Sequence, residues 1–87
     1  MTEAQRRMLS LLARWGRIES EKHGPDNDWL QVSELVMEQA ACYHDALAWR
    51  RADRTFGALR RRGLVEYCAE NDDLVRVSAA GRAELSQ

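Results

Sequence analysis

The sequence predicts a mainly helical α+β domain, a three-helix bundle followed by a two-stranded β-hairpin and a short last helix. Three observations predict it. Apolar residues recur at helical spacing in the first 22 residues and again in 46–62, with basic residues largely on the opposite sides. Val65 and Tyr67, then Val75 and Val77, alternate on either side of the turn-forming run Glu70, Asn71, Asp72, Asp73. Capping residues stand at the expected boundaries: Thr2 with Gln5, Ser33, Gly63 and Ser78. With 87 residues the chain has material for one hydrophobic core, so residues 1–87 are read as a single domain. Hydrophobic residues at 45% and charged residues at 31% match a folded globule and not a disordered chain.

The first helix is expected over about 3–22, with Thr2 and Gln5 as a capping box and Ala4, Met8, Leu11, Leu12, Trp15 and Ile18 as its apolar stripe. Gly24 and Pro25 stop it. Trp29, Leu30 and Val32 suit a very short strand, and Ser33 then caps a second helix near 33–43 that buries Leu35, Val36, Ala40 and Tyr43. A third helix over 46–62 places Trp49, Ala52, Phe56 and Leu59 on one core-facing side. Gly63 ends it. Strands at Leu64–Ala69 and Leu74–Ser78 form the hairpin, and Ser78 caps a last helix that Gly81 weakens.

Charge is strongly partitioned although the net value is only -1. Residues 1–18 hold four Arg against Glu3, giving +3, and residues 19–45 hold Lys22 against seven acids, giving -6. Residues 46–62 then hold six Arg against Asp53, giving +5, and residues 63–75 hold four acids, giving -4. The basic side of the third helix is therefore the candidate site. Arg50, Arg51 and Arg54 occupy its first half, and Arg61 and Arg62 its end, with small residues Gly57 and Ala58 between. Arginines early in such a helix can read guanine through O6 and N7, whereas those at its end suit phosphate. A solvated charged face is the plain alternative, but six Arg against one acid exceeds what solubility requires.

Three helices followed by a hairpin is the order of the winged-helix variant of the helix-turn-helix. Val32-Ser33-Glu34-Leu35, the junction Leu59-Arg60-Arg61-Arg62-Gly63-Leu64-Val65-Glu66, and Val75-Arg76-Val77-Ser78-Ala79-Ala80-Gly81-Arg82 together resemble winged-helix regulators of the MarR and PadR type. The resemblance implies a transcriptional regulator or repressor that binds double-stranded DNA, as a homodimer on a palindrome. Arg76, at the base of the wing, is a further candidate contact, but the wing tip is acidic where phosphate would call for Arg or Lys. The alternative function is a protein-interaction module that docks a basic partner on its acidic 19–45 segment or wing, and a third reading is an accessory subunit of a larger complex whose DNA contact is nonspecific.

Other function classes find little support. No nucleophile, base and carboxylate constellation points to an enzyme, and no cofactor is implied. Cys42, Cys68, His23 and His44 lack metal-ligand spacing, and the two cysteines read as free thiols buried as small hydrophobes. Trp15, Trp29 and Trp49 read as core or interface residues. The longest apolar stretch is too short for a membrane span and no signal peptide is evident, so the expected location is the cytoplasm.

Overall fold

The computed structural model describes residues 1–39 and 46–87. The helix α1 spans Glu3–His23 and starts on the expected capping box: Gln5 N–H donates to Thr2 Oγ1 at 3.1 Å, and Thr2 N–H donates to Gln5 Oε1 at 3.2 Å. Gly24 ends it at φ 107°, with its N–H donating to Ser20 O. Strand β1 (Leu30–Gln31) leads directly into α2 (Val32–Gln39), and α3 covers Ala46–Arg61. The expected end of the second helix near residue 43, with Ala40, Cys42, Tyr43 and His44, lies outside the described residues. After α3 come β2 (Val65–Tyr67), β3 (Leu74–Val77) and α4 (Ala79–Leu85).

The hairpin expected as a two-stranded unit is part of a three-stranded antiparallel sheet in the order β1-β3-β2. Leu30 pairs with Val75, and on the other edge Val65 pairs with Val77 and Tyr67 with Val75. A two-residue strand carries too little alternation to be assigned a partner from sequence; its pairing with β3 is set by burying Leu30.

The core gathers Met8, Leu9 and Leu12 of α1, Leu35 and Val36 of α2, Ala52, Phe56 and Leu59 of α3, and the strand residues Leu30, Val65, Val75 and Val77. The stripe expected on α3 is therefore present, with Trp49 half-buried at its end. That on α1 is rotated. Leu9 is fully buried and Gly16 is buried, whereas Ala4 is exposed and Ile18 is 38% exposed. The cause is that α1 is wrapped by α3, β1, β3 and α4, and the loop after it comes close at Gly16, where an added Cβ would stand 3.4 Å from Asp28 O. Glycine contributes nothing to an apolar stripe, so the pattern points elsewhere.

The start of α2 is anchored from across the sheet. Asp73, expected as an exposed wing-tip acid, accepts from Ser33 N at 3.1 Å and from Ser33 Oγ at 2.8 Å, while Asp73 O accepts from Val32 N at 2.8 Å. Ser33 lies inside the helix, and the acceptor its first turn needs comes from a residue 40 positions away. Asn71 Oδ1 in turn accepts from Asp73 N at 3.0 Å and shapes the turn that delivers the carboxylate.

Helix α4 is expected to be weakened by Gly81; the packing requires that glycine. An added Cβ would stand 2.1 Å from Leu64 O and 2.7 Å from Val77 Cγ1, so α4 lies directly on the α3–β2 junction. Among the described residues no helix is long and apolar enough to cross a membrane.

Two stability measurements check these contacts. Gly81→Ala, which would gain helix propensity elsewhere, should cost about 2 kcal/mol or more here, a fall in Tm of roughly 8–16 °C for a domain of this size. An unchanged or raised Tm would show that α4 does not sit on Leu64. Asp73→Ala should cost about 1–2 kcal/mol, as loss of a helix cap does, while Asp72→Ala next to it should cost almost nothing. Equal effects of the two would remove the anchor.

Candidate nucleic-acid interface

Helix α3 ends on Gly63, whose φ of 73° is open to glycine at little cost. Gly63 N–H donates to Arg60 O and Leu64 N–H to Leu59 O, both at 3.0 Å, the paired bonds of a Schellman cap. This fixes the rotation of α3 relative to β2. With Ala52, Phe56 and Leu59 turned into the core, Arg50, Arg54 and Arg61 fall on the outward side at helical spacing and are exposed. Gly57 and Ala58 lie between them, leaving the middle of that surface low.

The six residues expected as contacts are not all brought together. Arg50, Arg54 and Arg61 form one stripe, and exposed Arg62 follows just past the helix end. Arg51 is exposed but turned toward α1, where it lines a groove with Ala4, Arg7 and Met8. Among the described residues none of these five arginines has a carboxylate within 4.0 Å. Their field is therefore not cancelled by close pairing, and at physiological salt it extends about 8 Å into solvent. On α1, Arg7 pairs with Glu3 at 2.8 Å, both side chains being highly exposed, a weak interaction.

Arg76 stands apart. It lies on β3 opposite Glu66, to whose Oε1 its Nε donates at 3.0 Å; Nη1 is 3.6 Å from Asp28 Oδ1, and the guanidinium stacks over the Trp29 ring at 4.3 Å. The hydrogen bond to Glu66 is the chief reason its pKa is raised, burial opposing. Asp28 Oδ1 is buried and receives no hydrogen bond, so Arg76 is its nearest compensation among the described residues. The side chain expected as a free wing contact is thus held by two acids and a tryptophan.

Arg60, which the sequence places with the other basic residues of the last turn, has its own task. Its guanidinium lies 4.6 Å from the centroid of the Tyr67 ring, a cation–π contact that joins α3 to β2. Burial raises the Tyr67 phenol pKa, with Arg60 opposing the shift and Asp53 adding to it. Neither cation–π pair is visible in the sequence, because each joins residues of different segments that only the fold brings together.

At the tip of the hairpin Glu70, Asn71 and Asp72 are exposed, while Asp73 is turned in toward α2. Cys68 is a half-buried free thiol. Among the described residues no group of three or more His, Cys, Asp or Glu is placed to hold a metal ion. Compared with protein-family models, with curated proteins and with solved structures, the chain matches none.

Proposed function

We propose that this chain is a small winged-helix DNA-binding module that places α3 in the major groove and acts as a transcriptional regulator or repressor. One observation carries the reading: an exposed stripe of Arg50, Arg54 and Arg61 over the small residues Gly57 and Ala58, with no close counter-charge among the described residues. The element order α1-β1-α2-α3-β2-β3 and the sheet order β1-β3-β2 are consistent with that fold, as is the resemblance of its motifs to MarR- and PadR-type regulators.

Arg50 and Arg61 are eleven residues apart, about 16 Å along the axis. That separation lets the two ends of the stripe meet different parts of the duplex. Arg50 and Arg54 at the start of α3 address base edges, since reading helices insert their N-terminal residues most deeply. Arg61 and Arg62 address phosphate on the groove wall. Arg76 is left out of the interface, because freeing it would strip Asp28 and Glu66 of their partner. The acidic tip at Glu70 and Asp72 keeps the wing away from phosphate. Two copies on a palindrome would meet through the outer side of α1, where Ile18 is exposed and Leu11 half-buried.

Fluorescence anisotropy of the purified chain on its selected duplex and on random duplex, over a series of salt concentrations, tests the reading. Arg50→Ala or Arg54→Ala should cost about 1–3 kcal/mol on the preferred site and relax its sequence preference. Arg61→Ala or Arg62→Ala should weaken all sequences alike and lower the salt slope by about one each. Arg76→Ala should leave the salt slope unchanged, and Asp72→Asn should leave affinity unchanged or raise it. Parent-like binding by the Arg50 and Arg54 variants, or no salt-dependent binding by the parent, would refute it.

A further inference from the structure

On a face that includes no residue of α3, a groove of about 360 Å3 opens between α1, β1 and the start of α2. Its walls are Trp15 and Trp29, its floor the buried Leu30 and Leu35, and its rim the carboxylates of Glu19 and Glu34. Trp15 and Glu19 are one helical turn apart, so indole and carboxylate point the same way. Both indoles are half-buried, leaving part of each wall open.

The chemistry of the groove selects a cation with a flat apolar face. Trp29 already carries one guanidinium, that of Arg76, whose charge is met by Glu66 and Asp28. The two rim carboxylates have no such partner: among the described residues Glu34 has no cation within 4.0 Å, and Glu19 faces only His23 at 3.5 Å. Phosphate is repelled by this rim, so the groove is not an extension of a nucleic-acid surface. Its size is at the low end for ligand pockets and suits one long side chain.

We propose that this groove receives an arginine side chain from a basic polypeptide segment of a protein partner, with the guanidinium against the indoles and Glu19 and Glu34 as its counter-charges. Arginine fits better than lysine. Its planar head stacks on aromatic rings, gives up water more readily and can donate to two carboxylates at once. The site stands independently of the DNA reading, since it uses none of the α3 arginines.

The three tryptophans provide the assay, because each indole N–H gives its own proton–nitrogen correlation signal and Trp49 lies outside the groove. The ¹⁵N-labelled full chain is titrated with a capped glycine- and serine-based heptapeptide holding one central arginine, and with the same peptide holding citrulline, a neutral analogue of arginine. The arginine peptide should shift the Trp15 and Trp29 indole signals saturably and leave that of Trp49 in place. Citrulline, or the double variant E19Q/E34Q, should weaken binding about fivefold or more, with DNA affinity unchanged in that variant. Equal binding by parent and double variant, no shift at either indole, or shifts centred on Glu70 and Asp72 would overturn the proposal. Shifts of Trp15 and Trp29 that grow with protein concentration in the absence of peptide would also overturn it, by making a second copy of the chain the occupant.

Discussion

The pair of hydrogen bonds between Ser78 and the Gly63–Leu64 backbone is the constraint on which the rest of the molecule depends. Ser78 Oγ donates to Gly63 O at 2.6 Å and Ser78 N–H donates to Leu64 O at 3.0 Å, while the same hydroxyl oxygen accepts from Gly81 N–H at 3.0 Å. One residue thereby joins the end of α3, the end of β3 and the start of α4. Because β2 leaves the α3 cap within two residues, the rotation of α3 and the register of the hairpin are a single choice. Arg50, Arg54 and Arg61 face outward because Phe56 and Leu59 are held inward by that choice.

Electrostatics follows the same geometry. The acids are not a uniform counterweight to the arginines: Asp73 serves the start of α2, and Glu66 and Asp28 serve Arg76. Glu19 and Glu34 border a groove away from α3. With these acids committed or distant, and Asp53 the one acid among the described residues of α3, the α3 stripe keeps its field despite a net charge of only -1. A near-neutral protein can therefore present one strongly basic face and one acidic, aromatic face.

The sequence made local features legible and left the long-range ones hidden. Thr2 with Gln5, Gly63 and Ser78 announced real boundaries, since each cap is satisfied within a few residues. The exposure of Arg50 and Arg54 followed from the apolar phase of Ala52, Phe56 and Leu59. What failed depended on distant partners. Asp73 looked like a free acid because Ser33 is 40 residues away, and Arg76 looked available because Asp28, Trp29 and Glu66 meet it only in the sheet. Gly81 looked like a weak point in a helix, whereas the Leu64 backbone close to it accounts for it.

The most direct test of the central claim, that α3 is the face that meets DNA, is a map of amide shifts in the ¹⁵N-labelled chain on adding its selected duplex. Gly57 and Ala58 are the decisive reporters, because they are half-buried between the arginines and carry no charge of their own. The account predicts the largest shifts at Arg50, Arg54, Gly57, Ala58 and Arg61, with Trp15, Trp29 and Asp72 unmoved. Shifts centred on the α1–α2 groove or on the hairpin tip, with Gly57 and Ala58 unchanged, would contradict it.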